Sequence, residues 1–449
     1  MSFVNLLTYN IKIHNYIVFT SYLPEQHPLG FWKELKRTFK RWFHKSSIRI
    51  VWNNYKQSFA MNKKPLKAVV FAPFSDNNRR ALEPVWKQLN NNEYSVFDAC
   101  DYLPWQLVYY YSFLYIWPLL WCYWKATKYE RLLIRTYFDD FFRTMGYLVV
   151  LEQLLRYFDV RLIVMANDHD CLPRAIIYVA HKLGIKTMYL QHCSVTERFP
   201  RLSFDYNFLD GEESYLKYRT IGKPDGIVYL SGNPRFDIIK CYYKKNETEQ
   251  MCAPKDIKIG IASNTLDIED VLHNLVIKLK ENGYSHITFR PHPGVNIDPS
   301  WYIEQECEYS NSNNENPFAF ISRMDVVIAG ECGIHLDVAM MEKRSICYNT
   351  INAKPWDWYS YIKNGLTPYA ANVDELLRLL QDINKDEWKQ RVRKKAQWYN
   401  AAIGTQYEGH ISEMIADFIR YEHVGDVENF DRKYGFTPQF IQDFCVNVL

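Results

Sequence analysis

From Pro65 onward, short runs of aliphatic and β-branched residues alternate with longer stretches of helical periodicity. The runs LKAVVFAP (66–73), YSVFD (94–98), RLIVMAND (161–168), KTMYLQH (186–192), FDYNFLDG (204–211) and GIVYLSGNP (226–234) predict strands. Helices are expected near 79–90 and at 130–157, 173–184 and 212–220. A polar, aperiodic run, YKKNETEQMCAPKD (243–256), then reads as a linker. Beyond it the rhythm resumes, with strands at 257–263, 286–291, 324–330 and 344–349 and helices at 266–282, 333–341 and across 373–421. Strands that alternate with helices predict parallel sheets. The expected division is an N-terminal region 1–60, a Rossmann-like domain 61–242, the linker, a second Rossmann-like domain 257–421 and a tail 422–449. The tail would either return to the first domain or pack on the second.

Two stretches break the rhythm. In GFWKELKRTFKRWFHK (30–45), Phe31, Trp32, Leu35, Phe39, Trp42 and Phe43 share one helical face, with Lys33, Lys36, Arg37, Lys40 and Arg41 on the rest. Such a helix either packs its apolar face on its own domain or lies on anionic lipid. The second stretch, 102–124, carries no charge beyond Tyr102 until Lys125, and half of WQLVYYYSFLYIWPLLWCYW (105–124) is aromatic. It is long enough to span a bilayer, yet Trp and Tyr suit the headgroup boundary and Pro118 interrupts it. Interfacial burial is the favoured reading, against an internal buried helix or a true span.

The 449 residues suffice for two or three domains, and 48% hydrophobic content allows full cores. A net charge of +3 gives no support to nucleic-acid binding. The ten cysteines show no CxxC or Cys/His spacing, which fits buried thiols in a reducing compartment. The N-terminus lacks a basic n-region and a cleavage site, so no signal peptide is expected.

Candidate chemistry gathers at strand ends. SHITFRPHPGVN (285–296) delivers Arg290 and His292, and DVVIAGECGIHL (325–336) delivers Gly330, Glu331, Cys332 and Gly333 at a helix start. In one parallel sheet these ends would face one crevice, where cationic side chains and backbone N–H groups suit a phosphate or diphosphate. Arg290 either forks onto phosphate or pairs with the C-terminal helices. Glu331 would repel phosphate but could accept from a ribose or base. Ser263 and Asn264 end the first strand of the second domain, as phosphate contacts or as a helix cap. His335, inside the following helix, reads as packing or capping. In the first domain, His192 ends a strand where an acceptor would sit, and imidazole suits a general base. Asp168, His169 and Asp170 follow another strand. A carboxylate there would orient His192, act as base itself, or cap the next helix. No DxD ends a strand of the second domain, so neither a metal nor a cofactor is expected; helix dipoles and basic groups would stabilise a leaving phosphate.

Several of these segments resemble known families. RPHPG (290–294) is similar to the HP motif of the CDP-glycerol glycerophosphotransferases and of bacterial capsule and sialic-acid transferases. IAGECGIHLDVA (328–339) resembles the phosphotransferase motif ITDYSSVMFDYA, with Cys332 and Gly333 at its serines and Asp337 at its aspartate. The two phosphate-binding hydroxyls are therefore missing, leaving backbone N–H groups. GNPRFD (232–237), whose Arg235 would fix interdomain geometry, and LQHCSVTE (190–197) resemble motifs of surface-carbohydrate enzymes. The resemblance spans roughly 160–350. It implies an α/β GT-B fold, two Rossmann-like domains facing a central crevice, here with added membrane-associating aromatic and amphipathic helices in the N-terminal half. It implies that His292 contacts a nucleotide phosphate and that His192 is catalytic.

The expected activity is transfer of a sugar or polyol phosphate from a nucleotide-activated donor, of CMP or CDP type by preference, to a surface-polysaccharide or lipid-linked acceptor. Asp168 or Asp170 would assist His192. Donor, glycan acceptor and anionic membrane are the expected partners, and the cytoplasmic face of the bacterial inner membrane is the expected place. Alternatives are a UDP-sugar 2-epimerase-like enzyme, which needs no acceptor, and a catalytically silent membrane scaffold of a capsule assembly complex.

Overall fold

The apolar runs form parallel strands. The structure is a computed structural model that describes residues 30–42, 65–196, 199–242, 256–295, 297–381, 385–441 and 444–449. Phe43, the side chain of Trp42 and linker residues 243–255 lie outside the described residues. Two compact units result.

The first unit holds an eight-stranded sheet ordered β13-β14-β6-β5-β4-β3-β1-β2. Its strands are β1 (Val69–Ala72), β2 (Tyr94–Val96), β3 (Leu162–Met165), β4 (Lys186–Leu190), β5 (Tyr206–Leu209), β6 (Ile227–Leu230), β13 (Thr437–Ile441) and β14 (Phe444–Val448). β1 through β6 pair in parallel, β14 joins β6 in parallel, and β13 closes the edge antiparallel to β14. The order reverses between β1 and β3, which is where a doubly wound sheet opens a ligand crevice.

The second unit holds a six-stranded sheet ordered β12-β11-β10-β7-β8-β9. Its strands are β7 (Ile259–Ala262), β8 (Ile287–Arg290), β9 (Glu308–Tyr309), β10 (Val326–Ala329), β11 (Arg344–Tyr348) and β12 (Tyr369–Ala370). All pairings are parallel. Successive residues of β10 go to opposite faces. Val327 and Ala329 join a core with Leu336, Val392 and Ala396, while Val326 and Ile328 join one with Leu272, Leu275 and Leu376. Both faces are covered, so the strands read as unbroken apolar runs rather than alternating ones. Here the order reverses between β7 and β10.

The expected α/β class with two Rossmann-like sheets is thus the fold found. The domain limits differ. The chain passes between units at 234/235, and residues 412–449 belong to the first. The helix Ile411–His423 returns there because Phe418 packs edge-on against Tyr206, Phe208 and Tyr229. Of the two fates open to the tail, the first domain is the one taken.

The aromatic stretch folds as α3 (Trp105–Leu114) and α4 (Ile116–Lys125), preceded by α1 (Phe31–Trp42) and α2 (Asp76–Trp86), and followed by α5 (Lys128–Thr136) and α6 (Phe138–Tyr157). No described helix is long and apolar enough to cross a membrane. α3 lies tight on α6 at Gly146, where a Cβ would meet the Val108 carbonyl oxygen at 1.9 Å. The Gly146 N–H donates to Ser112 Oγ at 3.0 Å. α4 by contrast leaves Trp117 (74%) and Trp124 (67%) exposed.

α1 is rotated relative to its pattern, with Phe31 and Leu35 only half-buried. It buries Glu34 and Thr38 and leaves Trp32 77% exposed. The cause is Asp139 of α6, whose carboxylate is fully buried and gathers four donors. Thr38 Oγ1 (2.9 Å), Arg41 (2.8 Å), Tyr109 Oη (3.0 Å) and Arg143 (3.0 Å) all reach it. A buried carboxylate left unpaired is costly, so these polar contacts set which face turns inward. Arg41, expected to face lipid, is engaged here, and Arg37 pairs with Glu34. Lys33, Lys36 and Lys40 remain exposed.

Candidate functional site

In the second unit three strands end side by side. β7 runs into Ser263 and Asn264, β8 into His292, and β10 into Gly330. The ends are tied together. The His292 N–H donates to Ser263 Oγ at 3.3 Å, and Ser263 N–H to the Arg290 carbonyl at 3.0 Å. Asn264 makes an Asx turn, accepting from Leu266 N–H at 2.7 Å and donating its own N–H to Asp267 at 2.7 Å. Asp267 in turn accepts from Thr350 Oγ1 at 2.6 Å. A Cβ on Gly330 would sit 2.3 Å from Thr350 Oγ1 and 2.5 Å from Asp267 Oδ1, so only glycine fits at this point of contact.

The tip beyond Gly330 behaves differently from its side chains' labels. Both oxygens of Glu331 accept backbone N–H groups, from Trp356 at 2.9 Å and from Trp358. Its carboxylate therefore holds the 356–358 loop, and the expected contact to a ribose or base is corrected to that role. Burial pushes its pKa up. Cys332 is a neutral thiol, raised by burial to about 12. The backbone N–H groups of Cys332 and Gly333 have no acceptor among the described residues. The helix that follows, Ile334–Met340, is short. His335 Nε2 donates to the Gly330 carbonyl at 2.9 Å, and burial holds the imidazole near 4. The capping reading of His335 thus fits its geometry.

His292 is exposed, and its Nδ1 accepts the Gly294 N–H at 3.0 Å. In the neutral ring the proton then sits on Nε2, which is left as a donor. Desolvation lowers the pKa, favouring that neutral form. Arg290 is different. It is buried, donating to Ser310 Oγ at 2.7 Å and the Glu315 carbonyl at 2.8 Å, with the Glu315 carboxylate 3.8 Å away. Its guanidinium closes the sheet edge, so the phosphate fork expected of Arg290 is corrected. The alternative ion pair is found, with Glu315 rather than with the C-terminal helices. Arg235, expected to set interdomain geometry, pairs with Asp337 at 2.8 Å within this unit.

In the first unit, β3 and β4 carry the other candidates. Asp168 is buried, 3.4 Å from Arg174 and 3.7 Å from His169 Nε2. Burial raises it to about 6 against the pull of Arg174. The expected direct support of His192 by Asp168 is not the arrangement found. His169 stands between, its ring 6.0 Å from that of His192 and 4.4 Å from Phe199. Burial, with His192 and Arg174 nearby, holds His169 well below its ordinary pKa. Asp170 precedes the helix Cys171–Leu183 but makes no side-chain cap. It lines a cleft of about 480 Å3 above β1, β2 and β3, shared with Arg79, Trp105, Asp140 and Arg143.

Arg79, Asp140 and Arg143 had no role assigned from sequence, and Trp105, read there with the interfacial aromatic stretch, lines this cleft. Their signal was present: Asp139, Asp140, Arg143 and Tyr147 recur at spacings of three to four in a stretch, 138–151, that is otherwise apolar but for Thr144. His169 was visible only as the middle of a polar triplet.

No protein-family model and no curated protein matches the chain. Solved structures do. A co-structure of S. aureus MnaA with UDP is 12% identical, covering 79% of this chain and 97% of that one, TM-score 0.46. UDP-GlcNAc 2-epimerase from Neisseria meningitidis bound to UDP-GlcNAc is 12% identical, with coverages of 78% and 99%, TM-score 0.47. A variant of the wall teichoic acid polymerase TagF soaked with CDPG is 14% identical, with coverages of 90% and 98%, TM-score 0.47. These are likenesses of fold, and the functional reading rests on this chain's own residues.

Proposed function

We propose that the chain is a transferase that moves a sugar or polyol phosphate from a nucleotide-activated donor, cytidine-type by preference, to a surface-polysaccharide or lipid-linked acceptor. The supporting observation is the junction of three strand ends at the β7/β10 switch point. There His292 Nε2–H and the N–H groups of Cys332 and Gly333 lie at strand ends joined through the Ser263–Asn264 turn. All offer donors, as a nucleotide phosphate requires. His292 would donate to the departing phosphate in its neutral form. On the first unit, His192 would take the acceptor's proton, with His169 and the Asp168 carboxylate behind it.

Membrane attachment belongs to the same reading. Trp32, Trp117, Trp121 and Trp124 are exposed aromatics, and Lys33, Lys36 and Lys40 are exposed cations. Together they suit an anionic headgroup layer, on the cytoplasmic face where activated donors are at hand. Vesicle binding should rise with anionic lipid and fall with salt. Equal retention on neutral and anionic vesicles at all salt concentrations would remove this part.

The donor assignment is tested by thermal shift with CMP, CDP, UDP and GDP. A ligand at about 100 times its Kd stabilises the fold by about 2.7 kcal/mol. A response to one nucleotide class is expected; no response to any would count against the transferase.

A further inference from the structure

The cleft of the first unit has a composition that the donor site lacks. It opens at the β1/β3 switch point, and its volume of about 480 Å3 lies within the roughly 300–1,000 Å3 of small-molecule sites. Four carboxylates, of Asp76, Asp98, Asp140 and Asp170, line it against two guanidinium groups, of Arg79 and Arg143. Arg143 is engaged by its own helix, with Asp139 at 3.0 Å, the Tyr147 hydroxyl at 2.7 Å, and Asp140. Arg79 lies over the Trp86 ring at 5.6 Å, and neither it nor Asp170 has an ion-pair partner among the described residues. Burial and the nearby Asp140 raise the Asp170 carboxyl, as expected where negative charge is crowded. The indole of Trp105 forms part of the wall, braced edge-on by Tyr147 with ring centroids 6.0 Å apart.

We infer that this cleft takes an uncharged, hydroxyl-rich ring, a sugar residue of the acceptor, and excludes a phosphate-bearing terminus. The word acceptor rests on the transferase reading above; the binding itself does not. Sugar hydroxyls donate to carboxylates and accept from guanidinium, and the carbon face of a pyranose suits an indole. A phosphate entering the same cleft would meet excess negative charge in a partly desolvated space, with one guanidinium already neutralised. This differs from the polyol-phosphate end that the glycerophosphotransferase resemblance would suggest for the acceptor.

The test is saturation-transfer NMR on the full chain, with glucose, galactose and N-acetylglucosamine set against glucose 1-phosphate and glycerol 3-phosphate. At least one neutral sugar should receive saturation and neither phosphate should. Trp105→Ala should abolish the sugar signal. Asp170→Asn, an isosteric change in the cleft wall, should let the phosphates gain signal, so the idea stays testable if Trp105→Ala fails to fold. Stronger signal from the phosphates, silence from every sugar, or sugar signal that survives Trp105→Ala would overturn it. CMP and UDP added to the same samples report on the second unit. Sugar binding without nucleotide binding would keep the cleft and remove the transferase; the reverse would remove only the cleft.

Discussion

The two sheets reverse their strand order at one point each, and the two points have been furnished in opposite ways. At β1/β3 the space is wide and lined by side chains, among them Arg79 and Asp170, which form no ion pair among the described residues. At β7/β10 the charged and polar side chains are engaged with the protein itself. Asp267 holds Thr350, Glu331 holds the 356–358 loop, and Arg290 holds Ser310 and the 315 carbonyl. What remains for a ligand there is backbone N–H and one imidazole. A site built from fixed dipoles needs no reorganisation when an anion arrives. A site built from movable carboxylates suits a ligand read by its hydroxyls.

That contrast can be broken at both ends. The largest effect is expected at His192. His192→Ala should lower turnover by about 10²–10⁴-fold, the range of a positioned base, with nucleotide affinity near wild type. A wild-type rate would move the base to Asp170 and the chemistry into the cleft. Next comes Arg290→Ala. Because the guanidinium is internal, this change should cost about 1–3 kcal/mol of stability by leaving buried acceptors unpaired, read by urea denaturation. Nucleotide affinity of the folded fraction should hold. If affinity falls while stability does not, the arginine reaches the ligand after all.

A smaller effect is expected from pH. His335 is held near 4 against an ordinary 6.5, so the unfolded chain binds its proton more readily than the folded one. Stability from this residue is therefore full above about 6.5 and is lost as pH falls toward 4. Asp168, raised from 3.8 to about 6, acts with the opposite sign over most of that window. Comparing wild type with His335→Gln isolates the histidine: the wild-type advantage should shrink between those pH values. A difference independent of pH would mean that the imidazole is not buried neutral beneath Gly330.

Sequence carried the sheets well, because buried parallel strands appear as apolar runs bounded by turns. It also placed His292 and Gly330 at strand ends of one sheet, which lie either side of β7. It misjudged direction wherever a long polar side chain had two possible partners. Arg290 lies two residues before His292, and nothing in RPHPG tells that its partner is Glu315, twenty-five residues on. Glu331 was read by its charge, whereas the loop it anchors, 356–358, has no periodic signature. α1 was read by its apolar face, and the residue that rotates it, Asp139, lies about a hundred positions away. The aromatic insert was seen as one segment; the break at Tyr115 and the packing through Gly146 are tertiary facts.

The central claim is that the β7/β10 point binds a nucleotide phosphate through backbone donors and His292. Isothermal titration of the best nucleotide from the thermal-shift panel into wild type and His292→Ala tests it most directly. A hydrogen bond to a charged acceptor contributes about 1.5–3 kcal/mol, so affinity should fall about ten- to a hundredfold with the melting temperature unchanged. Equal affinity in the two proteins, or no heat from either, would contradict it.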